Sequence, residues 1–359
     1  VFMKITDIKI DRVKVPLTEP FRISLGVITN AESAVVTIET DEGLVGYGEG
    51  APGVFVSGEN LPGTAASIEL MARDLMGVDP TDLEKVYWIM DKATAHAHCA
   101  KTAIDIACHD LLGKKAGLPV YKLLGGLSNT METDVTIPIN PPEYMAQKAR
   151  ERVAQGFDVL KVKMGVDEAS DLARMKAIRE AVGANVKIRI DANQAWSAKE
   201  AINMIARLDE YDLELVEQPV KADDLEGLAE VTRASRVPIM SDESCFTAKD
   251  ALKLIRGRCV DIVNIKLMKC GGLREAQKIN AICEAAGVTV MLGCMAEETN
   301  IGITAAASLG AALKNITRAD LDATFSLADL PFQGGVGREV GKALTLPEEP
   351  GFGFKGLKA

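Results

Sequence analysis

Histidine is nearly missing from this chain. The three present, His96, His98 and His109, stand close together, and the 250 residues after His109 hold none, so acid–base chemistry there must rest on other groups. Paired cysteines are missing as well: the seven, at 99, 108, 245, 259, 270, 283 and 294, are odd in number, scattered and never spaced C-x-x-C. That excludes a disulfide framework or a zinc ribbon and reads as the reduced thiols of a cytoplasmic protein. No stretch of about 18 apolar residues occurs. The first residues alternate (Met3-Lys4-Ile5-Thr6-Asp7-Ile8-Lys9-Ile10) where a secretion signal would show a charged segment and an apolar run, so neither a membrane span nor secretion is expected. Positive charge is in deficit, with 41 Lys and Arg against 51 Asp and Glu and a net charge of −10, the wrong sign for phosphate backbones or anionic lipid. Nucleic acid and membrane-surface partners are therefore excluded.

What is present is ordinary globular material, 47% hydrophobic and 26% charged. A length of 359 residues allows two domains or one α/β barrel with additions. The first 50 residues read as strands, through Ile5, Ile8 and Ile10, Val13 and Val15, then Ala34–Thr40, a turn at Asp41-Glu42-Gly43, and Leu44–Glu49. From 63 to 124 the period becomes helical and closes at Gly125-Gly126, which makes residues 1–126 an α+β domain.

Past 130 the texture changes to short β-branched runs separated by helical stretches such as Ser170–Ala181 and Leu225–Ala234. Eight runs can be counted: Thr133–Ile139, Val159–Val162, Val186–Ile190, Leu213–Val216, Pro238–Met240, Ile262–Ile265, Val288–Leu292 and the weakest, Ile316–Leu321. Their C-terminal ends carry Thr136, Lys163, Asp191, Glu217, Asp242, Lys266, Cys294 and Asp320, about 26 residues apart. A strand, a helix and two loops occupy that length, so the repeat predicts a (β/α)8 TIM-like barrel over 127–325, with an N-terminal α+β capping domain. The Gly- and Pro-rich segment 326–359 is expected to fold back onto that cap.

Active sites of such barrels lie at the C-terminal strand ends. Singly, each acid or lysine there reads as a solvated cap. Three acids on consecutive strands, Asp191, Glu217 and Asp242, cannot all stay ionised at one point without a cation, and an all-oxygen set favours Mg²⁺. Lys163 and Lys266 flank them and would face each other across the mouth, each addressing one face of a substrate. A lysine near a cation is expected to lose its proton more readily, and Lys161, two residues before Lys163, adds a second positive charge beside it.

These marks together resemble the enolase superfamily, specifically its muconate-lactonizing-enzyme branch. The resemblance spans Gly46-Tyr47-Gly48-Glu49, Gly117-Leu118-Pro119-Val120-Tyr121, Leu123-Leu124-Gly125-Gly126 and Lys161-Val162-Lys163. It continues through Asp191-Ala192-Asn193, Glu217-Gln218-Pro219, Ser241-Asp242-Glu243-Ser244 and Lys266-Leu267-Met268-Lys269-Cys270-Gly271-Gly272. It implies Mg²⁺ on Asp191, Glu217 and Asp242, the substrate carboxylate on the metal, and exchange of an α-proton by Lys163 and Lys266 through an enediolate, the logic of a racemase or epimerase. Asn193 and Glu243 would orient the ligands from behind.

Asp320-Leu321-Asp322 resembles the D-x-D signature of the dipeptide epimerases, implying that the pair holds a free N-terminal ammonium; the alternative is a solvated acid pair beside Arg318. Substrate selection is expected from the loops Phe21–Thr29 and Ala51–Glu59, with Phe21 and Phe55 as contacts. In the Ala-Glu-specific relatives an arginine of the first loop is thought to pair with the acidic side chain, and Gly26 stands there in this chain. An apolar or mixed dipeptide is therefore expected over L-Ala-L-Glu, with Arg22 either a substitute or structural. Thr136, Cys294 and Met295 are further pocket candidates; for Cys294 and Met295, as for Trp196 and Met268, core packing is equally open. Glu297-Glu298 reads as a solvated edge, Gly271-Gly272 as a turn, and the histidines as packing or surface groups. Relatives of the branch are commonly homo-oligomers. The readings left open are an N-acylamino-acid racemase, a cycloisomerase, and a barrel that binds without catalysis.

Overall fold

The computed structural model describes residues 2–338 and 341–358. An antiparallel meander opens the chain: β1 (Ile5–Ile23), β2 (Gly26–Thr40) and β3 (Val45–Gly50). Three helices follow, α1 (Leu61–Leu75), α2 (Leu83–Ala93) and α3 (His98–Ala116), then a short turn of helix at Val120–Leu124. β1 and β2 run further than the sequence suggests, pairing Phe21 with Ile28, Arg22 with Val27 and Ile23 with Gly26. The stretch expected as a loop, Phe21–Thr29, is thus the tip of a long hairpin. Most side chains there are exposed or half-buried, so backbone pairing holds the tip without the apolar alternation that marks a half-buried strand.

The alternation Gly46-Tyr47-Gly48-Glu49-Gly50 puts three glycines on one face of β3, and α3 lies directly on that face. A Cβ at Gly46, Gly48 or Gly50 would stand 2.4, 1.9 or 2.5 Å from the carbonyl oxygens of Ala107, Ala103 and Cys99. These carbonyls are four residues apart on the helix, where the glycines are two apart on the strand, so the two periods match. Gly48→Ala must push backbone away from backbone, and we expect it to lower the stability by about 3 kcal/mol or more, read from urea unfolding midpoints.

Eight strands form one parallel sheet in chain order: Val135–Ile137, Val159–Lys163, Lys187–Asp191, Leu213–Glu217, Ile239–Ser241, Ile262–Ile265, Thr289–Gly293 and Ile316–Asp320. First and eighth meet where Asp134 N donates to Ala319 O at 3.1 Å, completing the barrel. Every expected run is a strand, and Leu225–Ala234 is a helix over those bounds. After the eighth strand the chain returns to its beginning: Leu327 bridges Leu17, the Phe332 ring stands edge-on to Tyr47, and Phe352 N donates to Asp110. Among the described residues no helix is long and apolar enough to cross a membrane.

Candidate active site

Parallel register sets the site. Lys163 pairs with Asp191, and Asp191 with Glu217, so these three share one layer at the C-terminal rim. Asp242 follows the fifth strand and Lys266 the sixth. Oxygens of Asp191, Glu217 and Asp242 lie within 4.8 Å of one another, and all three residues are fully buried. Lys163 Nζ is 2.6 Å from Asp191 Oδ2 and donates to Asn193 Oδ1 at 3.1 Å; Lys266 Nζ is 2.8 Å from Asp242 Oδ2.

Two observations fit this triad to a divalent cation. Glu217 Oε2 and Asp242 Oδ1 are buried without a well-aligned hydrogen bond, although Lys161 and Lys269 stand within ion-pair distance of them. Moreover, six buried carboxylates (Asp191, Glu217, Asp242, Glu243, Asp320, Asp322) face four buried lysines (Lys161, Lys163, Lys266, Lys269), leaving two negative charges over. The excess shows in the acids themselves: burial and neighbouring acids push Glu217 up to about 7, Glu243 to about 8 and Asp322 to about 6. A hard cation on oxygen ligands would neutralise the same two charges.

The lysines differ from the sequence expectation. Lys161 Nζ is held by Asp320 at 2.5 Å, Glu217 at 2.7 Å and Asp191 at 3.1 Å, so three carboxylates engage its charge. Burial opposes the charge on Lys161, yet these acids carry its pKa well above the lysine range. Lys266 also moves upward, burial notwithstanding, because Asp242 lies beside it; an Asp242 engaged by a cation would release that hold.

Asp320 and Asp322 converge with the lysines on one pocket of about 660 Å³, counting the part open to solvent, within the roughly 300–1,000 Å³ of small-molecule sites. Thr136 joins the pair, its N–H donating to Asp322 Oδ2 at 2.6 Å and its hydroxyl to Asp320 Oδ1 at 3.4 Å. Both acids are buried, which sets aside the solvated alternative. Phe21 from the hairpin, Phe55 from the 51–59 segment, and Cys294 and Met295 after the seventh strand complete the wall.

Gly26 stands outside that wall. A Cβ there would lie 2.3 Å from Phe55 Cζ, so the glycine is the seat on which the Phe55 ring rests. Arg22 is outside it too, its carbonyl accepting from Ile139 N. Trp196 and Met268 turn out to be packing residues: Met268 is enclosed with Ala51, Cys99 and Met295. His109 is buried against Asp105, and Gly271 and Gly272 make a turn with positive φ.

Glu297 and Glu298 are not a solvated edge. Both are buried, because the turn after the seventh strand is covered by β3: Glu298 Oε1 accepts from Met295 N, and Glu49 accepts from Thr299 N and Gly302 N. Burial pushes Glu297 up to about 7 and Glu298 to about 8, and raises Glu49. These acids keep protons in the folded protein that the unfolded chain has already released. Their stabilising contribution is therefore full below the ordinary carboxylate range and is lost as pH climbs through about 7 to 8. Glu298→Gln is expected to flatten the fall in urea midpoint between pH 5 and pH 8.5.

Three supporting residues carried no role in the sequence reading. Asn264 donates to Glu217 Oε1 at 2.6 Å. Gln218 Oε1 accepts from Asp242 N and Ser244 N. Lys269, fully buried, donates to the carbonyls of Asp242 and Asn264 and stands 2.6 Å from Asp242 Oδ1. Asn193, left-handed at φ 43°, donates to Glu243 Oε1 from its side chain at 3.3 Å, and Ser24 of the hairpin tip bonds the Ala192 and Asn193 carbonyls. Lys269 and Gln218 left a signal, one three residues after Lys266 and the other next to Glu217, each within a quoted motif.

Comparison with known proteins agrees with this geometry. Residues 5–125 match the mandelate racemase / muconate lactonizing enzyme N-terminal domain model, and residues 144–356 match the enolase C-terminal domain-like model. The chain is 57% identical to the hydrophobic dipeptide epimerase of Enterococcus faecalis over 98% of this chain and 99% of that one. It is 43% identical to the L-Ala-D/L-Glu epimerase of Bacillus subtilis, over 99% and 97%. A crystal structure of the E. faecalis dipeptide epimerase with Mg and the dipeptide L-Leu-L-Tyr superposes with a TM-score of 0.97 at 56% identity, covering 98% of this chain and 99% of that one.

Proposed function

The chain belongs to the mandelate racemase / muconate lactonizing enzyme family of the enolase superfamily, and from that premise we propose that it is a Mg²⁺-dependent dipeptide epimerase favouring hydrophobic side chains. The observation that carries this reading is one pocket lined by Lys163, Lys266 and the Asp320–Asp322 pair, whose two lysines are bonded to members of the buried acid triad, Asp191 and Asp242. Residues 127–325 form the catalytic barrel in this reading, and 1–126 with 326–359 the cap. Its seven free, buried cysteines support a cytoplasmic location.

Asp191, Glu217 and Asp242 would hold the cation, which supplies positive charge to the substrate carboxylate as the α-proton leaves. Asp320 Oδ1, beside the Thr136 hydroxyl, and Asp322 Oδ1 receive the N-terminal ammonium, Asp322 Oδ2 being fixed by Thr136 N and Asp320 Oδ2 by Lys161. One of Lys163 and Lys266 takes the α-proton while the C–H electron pair stays on the substrate. The other lysine returns a proton to the opposite face, which inverts the C-terminal residue. Phe21, Ile23, Ile28, Phe55 and Val56 exclude water above the reacting carbon and suit apolar side chains.

Incubating L-Ala-L-Leu with the enzyme and Mg²⁺ in D2O tests the reading. The C-terminal α-proton signal should disappear while L-Ala-D-Leu accumulates. Retention of that proton across a panel of free-amine dipeptides would rule the reading out. Nothing in the pocket favours an N-acylated substrate, which has no ammonium for the two buried acids.

A further inference from the structure

Among the described residues, Glu297 is the one charged group in the pocket wall besides Lys161, Lys163, Lys266 and the Asp320–Asp322 pair. The backbone aims it there. Glu298 Oε1 takes Met295 N at 2.7 Å and Glu49 takes Thr299 N and Gly302 N, so the turn is pinned on both sides of Glu297. The residue is 7% exposed, and among the described residues its own N–H is the one hydrogen-bond donor that meets its carboxyl group. The apolar part of the same pocket wall includes Phe21, Ile28, Phe55, Val56 and Met295. A carboxylate in such surroundings is costly to keep unless a partner arrives with the ligand.

We infer that Glu297 determines side-chain specificity, turning away dipeptides with an acidic side chain and accepting those whose side chain brings a positive charge or a hydrogen-bond donor. This rests on the dipeptide reading of the site. An acidic side chain would place a second acid beside a buried carboxyl group whose ionisation burial already resists, with no cation in the wall to offset it except the three lysines already engaged. The cap supplies none, because Gly26 is filled by the Phe55 ring and Arg22 lies outside the wall. A lysyl ammonium or a tyrosyl hydroxyl would instead complete a charge-assisted hydrogen bond.

The test is kcat/KM by α-proton exchange for Ala-Leu, Leu-Ala, Ala-Glu, Glu-Ala, Ala-Lys and Lys-Ala, with the wild type, Glu297→Gln and Glu297→Asp. At the substrate position facing residue 297, Glu297→Gln should raise the Glu:Leu ratio and lower the Lys:Leu ratio by about tenfold each, while Glu297→Asp stays within about threefold of the wild type. Because the Leu dipeptides serve as the internal standard, a loss of folded enzyme cancels in the ratios. Ratios that do not move at either position in an active Glu297→Gln enzyme overturn the inference alone, as does a wild type that prefers the Glu dipeptides. A wild type that exchanges none of the six overturns the dipeptide reading and this inference with it.

Discussion

Asp242→Asn should lower kcat for L-Ala-L-Leu epimerisation by at least about 10²–10³-fold, the scale seen when one stabiliser of developing charge is removed. Asp242 anchors two buried lysines. It stands 2.8 Å from Lys266 and 2.6 Å from Lys269, its backbone N–H is held by Gln218, and the lysines keep its carboxyl well below the ordinary range even though burial opposes that. An amide in its place removes one charge from the triad and frees Lys266 from its anchor. It also leaves Lys269 fully buried with only carbonyls around it, which costs about 3–5 kcal/mol. Titrating kcat against Mg²⁺ separates the two effects: saturation at a higher concentration reports the lost ligand charge, and the urea midpoint reports the buried lysine.

The second large effect belongs to Asp322. Asp322→Asn keeps an oxygen for Thr136 N and loses only the charge, so it isolates the hold on the ammonium. The expected loss is about 30-fold or more in kcat/KM for L-Ala-L-Leu, from about 2 kcal/mol for breaking a buried charge pair. The control is propanoyl-L-leucine, which has the shape of Ala-Leu without the amine. Wild-type enzyme should prefer the dipeptide strongly, and the variant should treat the two nearly alike. Asp320→Asn should depress both substrates, because Asp320 also holds Lys161 at 2.5 Å.

The barrel was legible because its strands repeat about every 26 residues and their ends carry charged groups that an ordinary core does not tolerate. Asp191, Glu217, Asp242, Lys163 and Lys266 could be placed on one rim from that repeat alone, and the rim brings them together. The hairpin tip was not legible. Residues 18–30 include Thr18, Glu19, Pro20 and Asn30, the register breaks between Pro16 and Phe21, and beyond the break the tip is held by backbone pairing across the hairpin, which leaves no apolar alternation. Glu297 and Glu298 were misread for a related reason: two adjacent acids look solvated until β3, nearly 250 residues earlier, is laid over their turn. Gly26 was expected at the substrate but lies outside the wall under Phe55, and nothing local ties the two positions together. Asn264 and Gln218 are ordinary residues whose importance comes only from the carboxylate and the amide they meet.

The central claim is that two lysines work on opposite faces of one carbon. Its most direct measurement is α-deuterium wash-in, followed separately for L-Ala-L-Leu and L-Ala-D-Leu, with Lys163→Ala and Lys266→Ala. Neither variant should invert the substrate. Each should still exchange one diastereomer with solvent, through the lysine that remains, and the two variants should exchange different ones. Exchange of both diastereomers by a single variant, or inversion at the wild-type rate without either lysine, would contradict the assignment.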